Sequence, residues 1–195
     1  MEEVLAAAPI IGCILSMMQY MSTFTVVLAM RRVRRWYRFA LTPVLLSLNV
    51  DIGWWIMSML LSDVWIALSV SGVILTLLTS LTGVQLLGHM GRFDEVKYLE
   101  RGMLYSTIYW MAVSTYVGII CKGEGAIEVF SFNVTCAGIV SYSSNLLKLP
   151  DVIRDNNSAA YYRPTIAINI TNIGLWLFYA IGYDIGAMKI TCTYG

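Results

Sequence analysis

The stretch Pro43–Asp63, PVLLSLNVDIGWWIMSMLLSD, returns in register as Pro164–Asp184, PTIAINITNIGLWLFYAIGYD. Laid over one another without a gap, the two stretches share the opening Pro, an Ile-Gly pair, a Trp and the closing Asp. Each copy is about 20 residues long, the length of an α-helix that crosses a bilayer. The repeat therefore predicts a membrane protein built from two similar halves, an architecture common among small-solute transporters.

The composition supports a location in the membrane. Hydrophobic residues make up 58% of the chain and charged residues only 13%, and the mean hydropathy is +0.69. A soluble domain of this size could not bury so much apolar side chain. The net charge of +1 indicates no nucleic-acid partner, so the bilayer and a small molecule are the partners that we expect.

The sequence gives no sign of enzyme chemistry. The four cysteines lie singly in apolar surroundings without metal-ligand spacing, at Cys13, Cys121, Cys136 and Cys192. Such cysteines are typical of membrane-buried thiols. The chain has no phosphate-binding glycine loop, zinc-protease motif, nucleophile elbow or dinucleotide fingerprint. We therefore expect no catalytic residues, no metal and no cofactor.

Apolar stretches divide the chain into seven predicted spans. They cover about residues 5–30, 39–62, 64–89, 102–120, 126–147 and 164–183, and a last stretch that follows Asp184 and stops at Gly195. Two charged connections separate them, GRFDEVKYLERG at 91–102 and KLPDVIRDNNSAAYYR at 148–163. The seventh stretch has only about a dozen residues, too few to cross a bilayer. The sequence therefore looks cut short, as a fragment or as a gene model without its last exon.

The basic residues predict the orientation of these spans. With the N-terminus outside, eleven of the thirteen fall in inside connections, at Arg31, Arg32, Arg34, Arg35, Arg38, Arg92, Lys97, Arg101, Lys148, Arg154 and Arg163. Only Lys122 lies outside, and Lys189 falls within span seven. This distribution is typical of cytoplasmic loops. The alternative interpretation of the arginine run is a patch for anionic lipid or nucleic acid.

The repeat and the topology together predict an all-α integral membrane protein with a 3+1+3 layout. Residues 1–90 would form a first three-helix bundle, 91–121 a cytoplasmic loop with a linker helix, and 122–195 a second bundle whose last helix is incomplete. Because an odd number of helices separates matching elements, the two bundles point the same way and form a parallel repeat.

Several short matches give the sequence a family resemblance. Thr42-Pro43 and Arg163-Pro164 open the second helix of each half, and Asp63 and Asp184 precede the third. Further matches lie in the first helix and its equivalent, and around the repeated Trp: Gly12–Met21 with Ser22-Thr23, Tyr142-Ser-Ser-Asn145, Trp55 and Trp176-Leu-Phe-Tyr179. In this order they resemble the SWEET sugar transporters of the wider PQ-loop group.

The resemblance implies facilitative sugar transport by alternating access in the plasma membrane or an endomembrane, often by homo-oligomers. Of the family's four hinge prolines, Pro43 and Pro164 are present. The family's cavity asparagines are replaced by Ser69 or Ser71 in the first half and by Cys192 in the second. The substrate therefore differs from the usual sugar, or the chain is a remote member of the family.

A sugar site needs aromatic faces for C–H surfaces and hydrogen-bonding groups for the rim, in a mostly apolar cleft. Trp54, Trp55 and Trp176 are the candidate faces. The candidate rim groups are Asn49, Asn169, Asn172, Ser69 and Ser71. A lipid-facing or interfacial Trp is the alternative, and we expect it for Trp65 and Trp110 because both lie near span ends.

Asp51 and Lys189 are the two charges well inside predicted spans. A carboxylate at such depth costs a few kcal/mol unless it is paired, protonated or facing water. We therefore predict that both face the central cavity and couple transport to ions or protons. The alternative is that Asp51 is protonated or satisfied by span-two neighbours such as Ser47 and has no further role.

Three functions remain open at this point. The first is transport of a mono- or disaccharide. The second is transport of an amino acid or another small metabolite by a PQ-loop-type protein, which Asp51 and the replaced asparagines favour. The third is a seven-helix receptor or binding protein that does not transport, against which the short loops and the duplication argue.

Overall fold

The computed structural model describes residues 2–33, 41–121, 124–143 and 163–182. Within these ranges all regular structure is α-helical, so the all-α prediction is confirmed for this part of the chain. The helices are α1 (Glu2–Val33), α2 (Leu41–Leu61), α3 (Val64–Val70), α4 (Val73–His89), α5 (Phe93–Ile119), α6 (Glu124–Ser143) and α7 (Arg163–Gly182). The predicted seventh span, with Cys192 and Lys189, lies outside the described residues.

Three segments of the described chain are long and apolar enough to cross a membrane: Ala7–Arg32, Leu41–Leu61 and Val64–His89. Helices α6 and α7 contain the shorter apolar stretches Gly125–Ser141 and Ile170–Gly182. One side of α1 presents large apolar side chains outward, at Ile10, Ile14, Met18 and Met21. Such a face suits acyl chains rather than water, and these features together indicate a membrane protein.

The first three predicted spans pack against each other, with α4 in contact with both α1 and α2. The third predicted span, 64–89, coincides with the apolar segment Val64–His89, and a turn at Ser71-Gly72 divides this segment into α3 and α4. The ring of Tyr20 lies against Gly72, where a Cβ would come within 2.0 Å of it. The break therefore coincides with an aromatic ring that takes the space a side chain would need.

The corner between α2 and α3 is as tight as the sequence predicts. Ser62 adopts a left-handed backbone conformation with φ of 53°. One carboxylate oxygen of Asp63 accepts hydrogen bonds from the backbone amides of Trp65 and Ile66, at 2.9 and 3.1 Å. Asp63 is thus the N-cap of α3, a role in which aspartate is strongly preferred.

Helix α5 begins at Phe93, so the prediction of a connection over 91–102 is wrong. The segment has no Pro or Gly between 93 and 101, and Asp94 and Glu95 in its first turn favour a helix N-terminus. An ion pair joins Arg92 to Glu95 at this end. These local preferences extend the linker helix into the region that charge alone marked as a loop.

Helix α5 runs in the same direction as α2, because the numbers of the contacting residues increase together along both helices. Leu45 meets Gly102, and further along the Trp110 indole nitrogen donates to the Asn49 carbonyl at 2.6 Å. Trp110 is only 1% exposed, so its predicted interfacial position is wrong. Gly53 leaves room for the ring, since a Cβ there would lie 2.3 Å from it.

The remaining helices pack against the first three spans, α6 against α2 and α7 against α1. Small residues recur every four positions on α1, at Ala8, Gly12 and Ser16, an arrangement that lets helices in membranes approach closely. Gly12 contacts Trp176 and Ser16 contacts Asn172. Since the residue number on α1 rises while that of its contact on α7 falls, α1 and α7 are antiparallel.

Candidate functional site, a polar network across the first helix

Two polar side chains meet where α1 packs against α7. The Asn172 amide nitrogen donates to the Ser16 hydroxyl at 3.1 Å, and the Ser16 hydroxyl lies 3.4 Å from the Asn172 amide oxygen. One turn away on both helices, Trp176 covers Gly12 and is 7% exposed. The interface therefore combines a hydrogen-bonding pair with an aromatic ring.

This pair lies near the middle of the predicted membrane span. Ser16 is nine residues beyond Ala7, where the apolar part of α1 begins. At 1.5 Å per residue it lies roughly 14 Å along the helix, close to the centre of a hydrocarbon core about 30 Å thick. Polar groups at that depth are costly unless paired, and they commonly mark solute pathways.

A second polar cluster begins one helical turn further along α1. The Tyr20 hydroxyl donates to one carboxyl oxygen of Asp51 at 2.9 Å, and the Thr76 hydroxyl donates to the other at 3.0 Å. Asp51 is buried, and both partners come from other helices than its own. The carboxyl group is therefore satisfied within α1, α2 and α4, and not by α2 neighbours such as Ser47.

The two clusters occupy equivalent positions of the sequence repeat. Asp51 in α2 and Asn172 in α7 are 121 residues apart, the same offset that matches Trp55 with Trp176. Both reach α1, through Tyr20 and Ser16, which lie four residues apart on neighbouring turns. We call these four residues, together with Thr76, the α1 polar network: Ser16, Tyr20, Asp51, Asn172 and Thr76.

Sequence reasoning found Asp51 and Asn172 but missed their partners on α1 and α4. Hydroxyl side chains are common in apolar spans and are usually satisfied by their own helix. The usable signal was the combination of Ser16 and Tyr20 on one helical face. It predicts a polar stripe on α1 without naming what the stripe contacts.

A third contact joins α7 to the corner before α3. The Tyr179 hydroxyl donates to the carboxylate oxygen of Asp63 that does not cap α3, at 2.9 Å. Trp176 and Tyr179 pack edge to face with their ring centroids 5.6 Å apart, a typical separation for an aromatic pair. Below them the Cys13 thiol approaches the Trp65 carbonyl at 3.5 Å. This end of the α1–α7 interface is closed by a hydrogen bond over aromatic packing.

Two of the predicted aromatic faces are buried and one is half-exposed. Trp176 lies in the α1–α7 interface, as described above. Trp54 belongs to the same buried hydrophobic cluster as Trp176, together with Met57 and Phe130. Trp55 is 45% exposed, so the repeated Trp pair does not share one environment in this structure. Of the three, Trp176 is the one beside the α1 polar network.

The other predicted site residues make contacts of their own. Asn49 offers its backbone carbonyl to Trp110, and the Ser69 and Ser71 hydroxyls donate to carbonyls of their own helix. Pro43 lies in the first turn of α2 and Pro164 is the second residue of α7. In those positions a proline starts a helix and causes no kink. A substrate contact for Asn49, Ser69 and Ser71 and a hinge role for the two prolines stay predictions.

No protein-family profile matches the sequence, and no curated protein matches it either.

Proposed function

We propose that the protein is a facilitative transporter of small polar solutes that works by alternating access between two three-helix halves. Sugars are the substrate class that we favour. The observation that carries this proposal is the Asn172–Ser16 pair beside Trp176, at mid-depth between helices of different halves. An amide, a hydroxyl and an aromatic face are the groups that hold a sugar's rim and its C–H surface.

The way the helices pair supports two related halves. The repeat matches α2 with α7, and the proposed layout matches α1 with α6. Exchanging the halves then turns the α1–α7 contact into the α6–α2 contact, and both contacts are present. A pair of interfaces related in this way is expected when two parallel repeats face each other about an axis along the membrane normal.

The helix directions support the proposed topology. Helices α1 and α7 run in opposite directions, as the first and sixth of seven alternating spans must. Helices α2 and α5 run in the same direction, as the second and fourth must. The proposal places the N-terminus outside and the arginine-rich connection in the cytoplasm. It also includes the SWEET resemblance and assembly with further copies of the chain.

Alternating access requires that the α1–α7 interface open at low cost. Among the hydrogen bonds that hold α7 are the Asn172–Ser16 pair, which joins it to α1, and the Tyr179–Asp63 bond, which joins it to the corner before α3. Each contributes about 1 kcal/mol net, and water or a solute hydroxyl replaces the lost partner on opening. Two such contacts fit conformations that differ by a few kcal/mol. In this scheme Tyr179 and Asp63 close the outer end, while Pro43 and Pro164 serve as hinges where α2 and α7 begin.

Asp51 has a different place in this scheme from the one that its charge predicted. Its hydrogen bonds to Tyr20 and Thr76 stay within the first half. We therefore assign it to holding α1, α2 and α4 together, and the proposed transport is uncoupled from ions or protons.

Uptake by proteoliposomes containing the full chain tests the proposal. Radiolabelled glucose, sucrose and amino acids are offered separately, and counterflow distinguishes transport from binding. We expect saturable glucose or sucrose counterflow that Asn172→Leu abolishes. The matched variant Asn133→Leu alters an amide on α6 that bonds Tyr109 and its own helix, and it should retain uptake.

Each result of this experiment bears on one function. Counterflow of amino acids alone would replace the sugar with the second cargo class. Saturable binding without counterflow of any solute would refute transport and favour the receptor. Equal loss of uptake in Asn172→Leu and Asn133→Leu would show that transport does not depend specifically on the α1–α7 interface.

A further inference from the structure

A groove with a volume of about 760 Å³ runs between α2 and α5 and is open along one side. Neither α1 nor α7 lines it, so it is separate from the α1 polar network. Its α2 wall includes Leu45, Leu46 and Asn49, which share one helical face. Its α5 wall is a single stripe that begins at Asp94 and ends at Tyr109.

Direct contacts between the two walls fix the shape of the groove. At the floor the helices touch where Gly102 faces Leu45, since a Cβ at Gly102 would come within 2.5 Å of that side chain. Near one end the hydroxyls of Thr42 and Tyr98 are hydrogen-bonded at 3.1 Å. The groove is therefore formed by the packing of α2 on α5 and needs no ligand to create it.

The two ends of the groove differ in chemistry. Lys97 and Arg101 lie one turn apart at the end where α5 begins, and both are exposed. Neither forms an ion pair with another described residue, although Asp94 lines the same end. Further along the stripe the lining has no charged side chain and consists of Leu46, Asn49, Tyr105, Ser106 and Tyr109, and the Tyr109 hydroxyl donates to Asn133 of α6.

The length of the stripe matches one leaflet of a bilayer. Lys97 and Tyr109 are twelve residues apart, about 18 Å along a helix. Half of a hydrocarbon core is about 15 Å thick, and the headgroup layer adds several ångströms. The basic end then lies at headgroup level and the aromatic end near the bilayer centre. The positive-inside pattern puts this end in the cytoplasmic leaflet, where anionic lipids concentrate.

We propose that this groove binds one anionic glycerophospholipid. Its phosphate lies between the Lys97 ammonium and the Arg101 guanidinium, and one acyl chain lies along Leu46, Tyr105 and Tyr109. A basic pocket between helices at the membrane surface is a typical site for such headgroups. The two cations, unpaired among the described residues, outweigh the single carboxylate in the groove lining, that of Asp94. This balance selects a net negative headgroup over a zwitterionic one.

Native mass spectrometry of the purified chain with equimolar phosphatidylglycerol and phosphatidylcholine tests this site. We expect one retained phosphatidylglycerol and a clear preference over phosphatidylcholine. Lys97→Ala/Arg101→Ala should lower that preference about thirtyfold, since each basic residue near an anionic lipid contributes about a factor of five. Arg31→Ala/Arg32→Ala removes two exposed basic residues at the end of α1 and should leave the preference unchanged.

Two further arms identify the source of the phosphate. Ser106→Phe fills the groove and should abolish retention of both lipids, while soluble glycerol 3-phosphate should displace neither. The proposal is overturned if the wild-type chain shows no preference, if the two double variants lose it equally, or if glycerol 3-phosphate competes as well as the lipid. None of these outcomes depends on whether the protein transports a solute.

Discussion

Removing the Tyr20 hydroxyl is the sharpest test of how the first three spans are held together. Tyr20→Phe keeps the ring that lies against Gly72 and deletes only the donor to Asp51, now 2.9 Å away. One carboxyl oxygen then loses its partner in a buried position, while Thr76 still donates to the other. An interhelical hydrogen bond in a membrane contributes about 0.6 to 2 kcal/mol, and an unsatisfied buried group costs about 1 to 3 kcal/mol.

We therefore expect a loss of about 2 kcal/mol in the free energy of unfolding. For a chain of this size that corresponds to a fall in Tm of about 4–8 °C. Thermal melting in detergent, followed by intrinsic fluorescence, measures it. The matched control is Tyr105→Phe, because Tyr105 is 65% exposed and surface substitutions usually change stability by less than about 0.5 kcal/mol.

A double-mutant cycle with Thr76→Val adds a second condition. Both hydroxyls donate to the same carboxyl group, so the two losses should deviate from additivity by about 0.5 kcal/mol or more. Equal melting temperatures of Tyr20→Phe and Tyr105→Phe would show that the Tyr20–Asp51 hydrogen bond does not stabilise the packing of the first three spans. Strict additivity in the cycle would show that the two hydroxyls do not share Asp51.

Three further predictions follow from the same contacts. Gly53→Ala should lower the free energy of unfolding by about 1–3 kcal/mol because the added Cβ meets the buried Trp110 ring. Gly174→Ala, which adds a Cβ in open space, should melt like the wild type. Equal effects of the two substitutions would contradict the packing of Trp110 on Gly53. Trp110→Phe should lower the free energy of unfolding by about 2–4 kcal/mol, because the core loses volume and the hydrogen bond to Asn49 is lost. Trp65→Phe should lower it by less than about 1 kcal/mol. The reverse order in melting experiments would support an interfacial position for Trp110. Tyr179→Phe should favour opening of the outer end by about 1 kcal/mol. In a chain with Cys121, Cys136 and Cys192 replaced by Ser, the rate of maleimide labelling of Cys13 from outside should then rise about fivefold. The same labelling rate in Tyr179→Phe and in the control Tyr116→Phe would show that this hydrogen bond does not close the outer end.

The helices were largely predictable because long apolar stretches are a strong signal. Span two was expected over 39–62 and α2 covers Leu41–Leu61, and span six over 164–183 corresponds to Arg163–Gly182. The structure differs from the sequence prediction where tertiary contacts or local preferences matter. The turn at Ser71-Gly72 lies where a ring from α1 packs against Gly72, and α5 begins early in a charged but helix-favouring segment.

The candidate site was predictable only one residue at a time. Asp51 and Asn172 were found because polar groups in apolar spans are conspicuous, and Trp176 because it recurs in the repeat. Their partners Ser16 and Tyr20 carry no sequence signal that names a contact 31 or 156 residues away. The interfacial prediction for Trp110 is wrong because this residue lies near the middle of the predicted span 102–120, where its ring packs against Gly53 of α2.

The most direct test of alternating access at the α1–α7 interface is a reversible disulfide across it. The double variant Ser16→Cys/Asn172→Cys is made in a chain whose native Cys13, Cys121, Cys136 and Cys192 are replaced by Ser. Solute counterflow in proteoliposomes is measured before oxidation, after oxidation and after reduction. We expect the disulfide to stop counterflow and reduction to restore it. Undiminished counterflow with the disulfide fully formed would contradict this expectation, because the two halves would then transport without separating where the structure joins them.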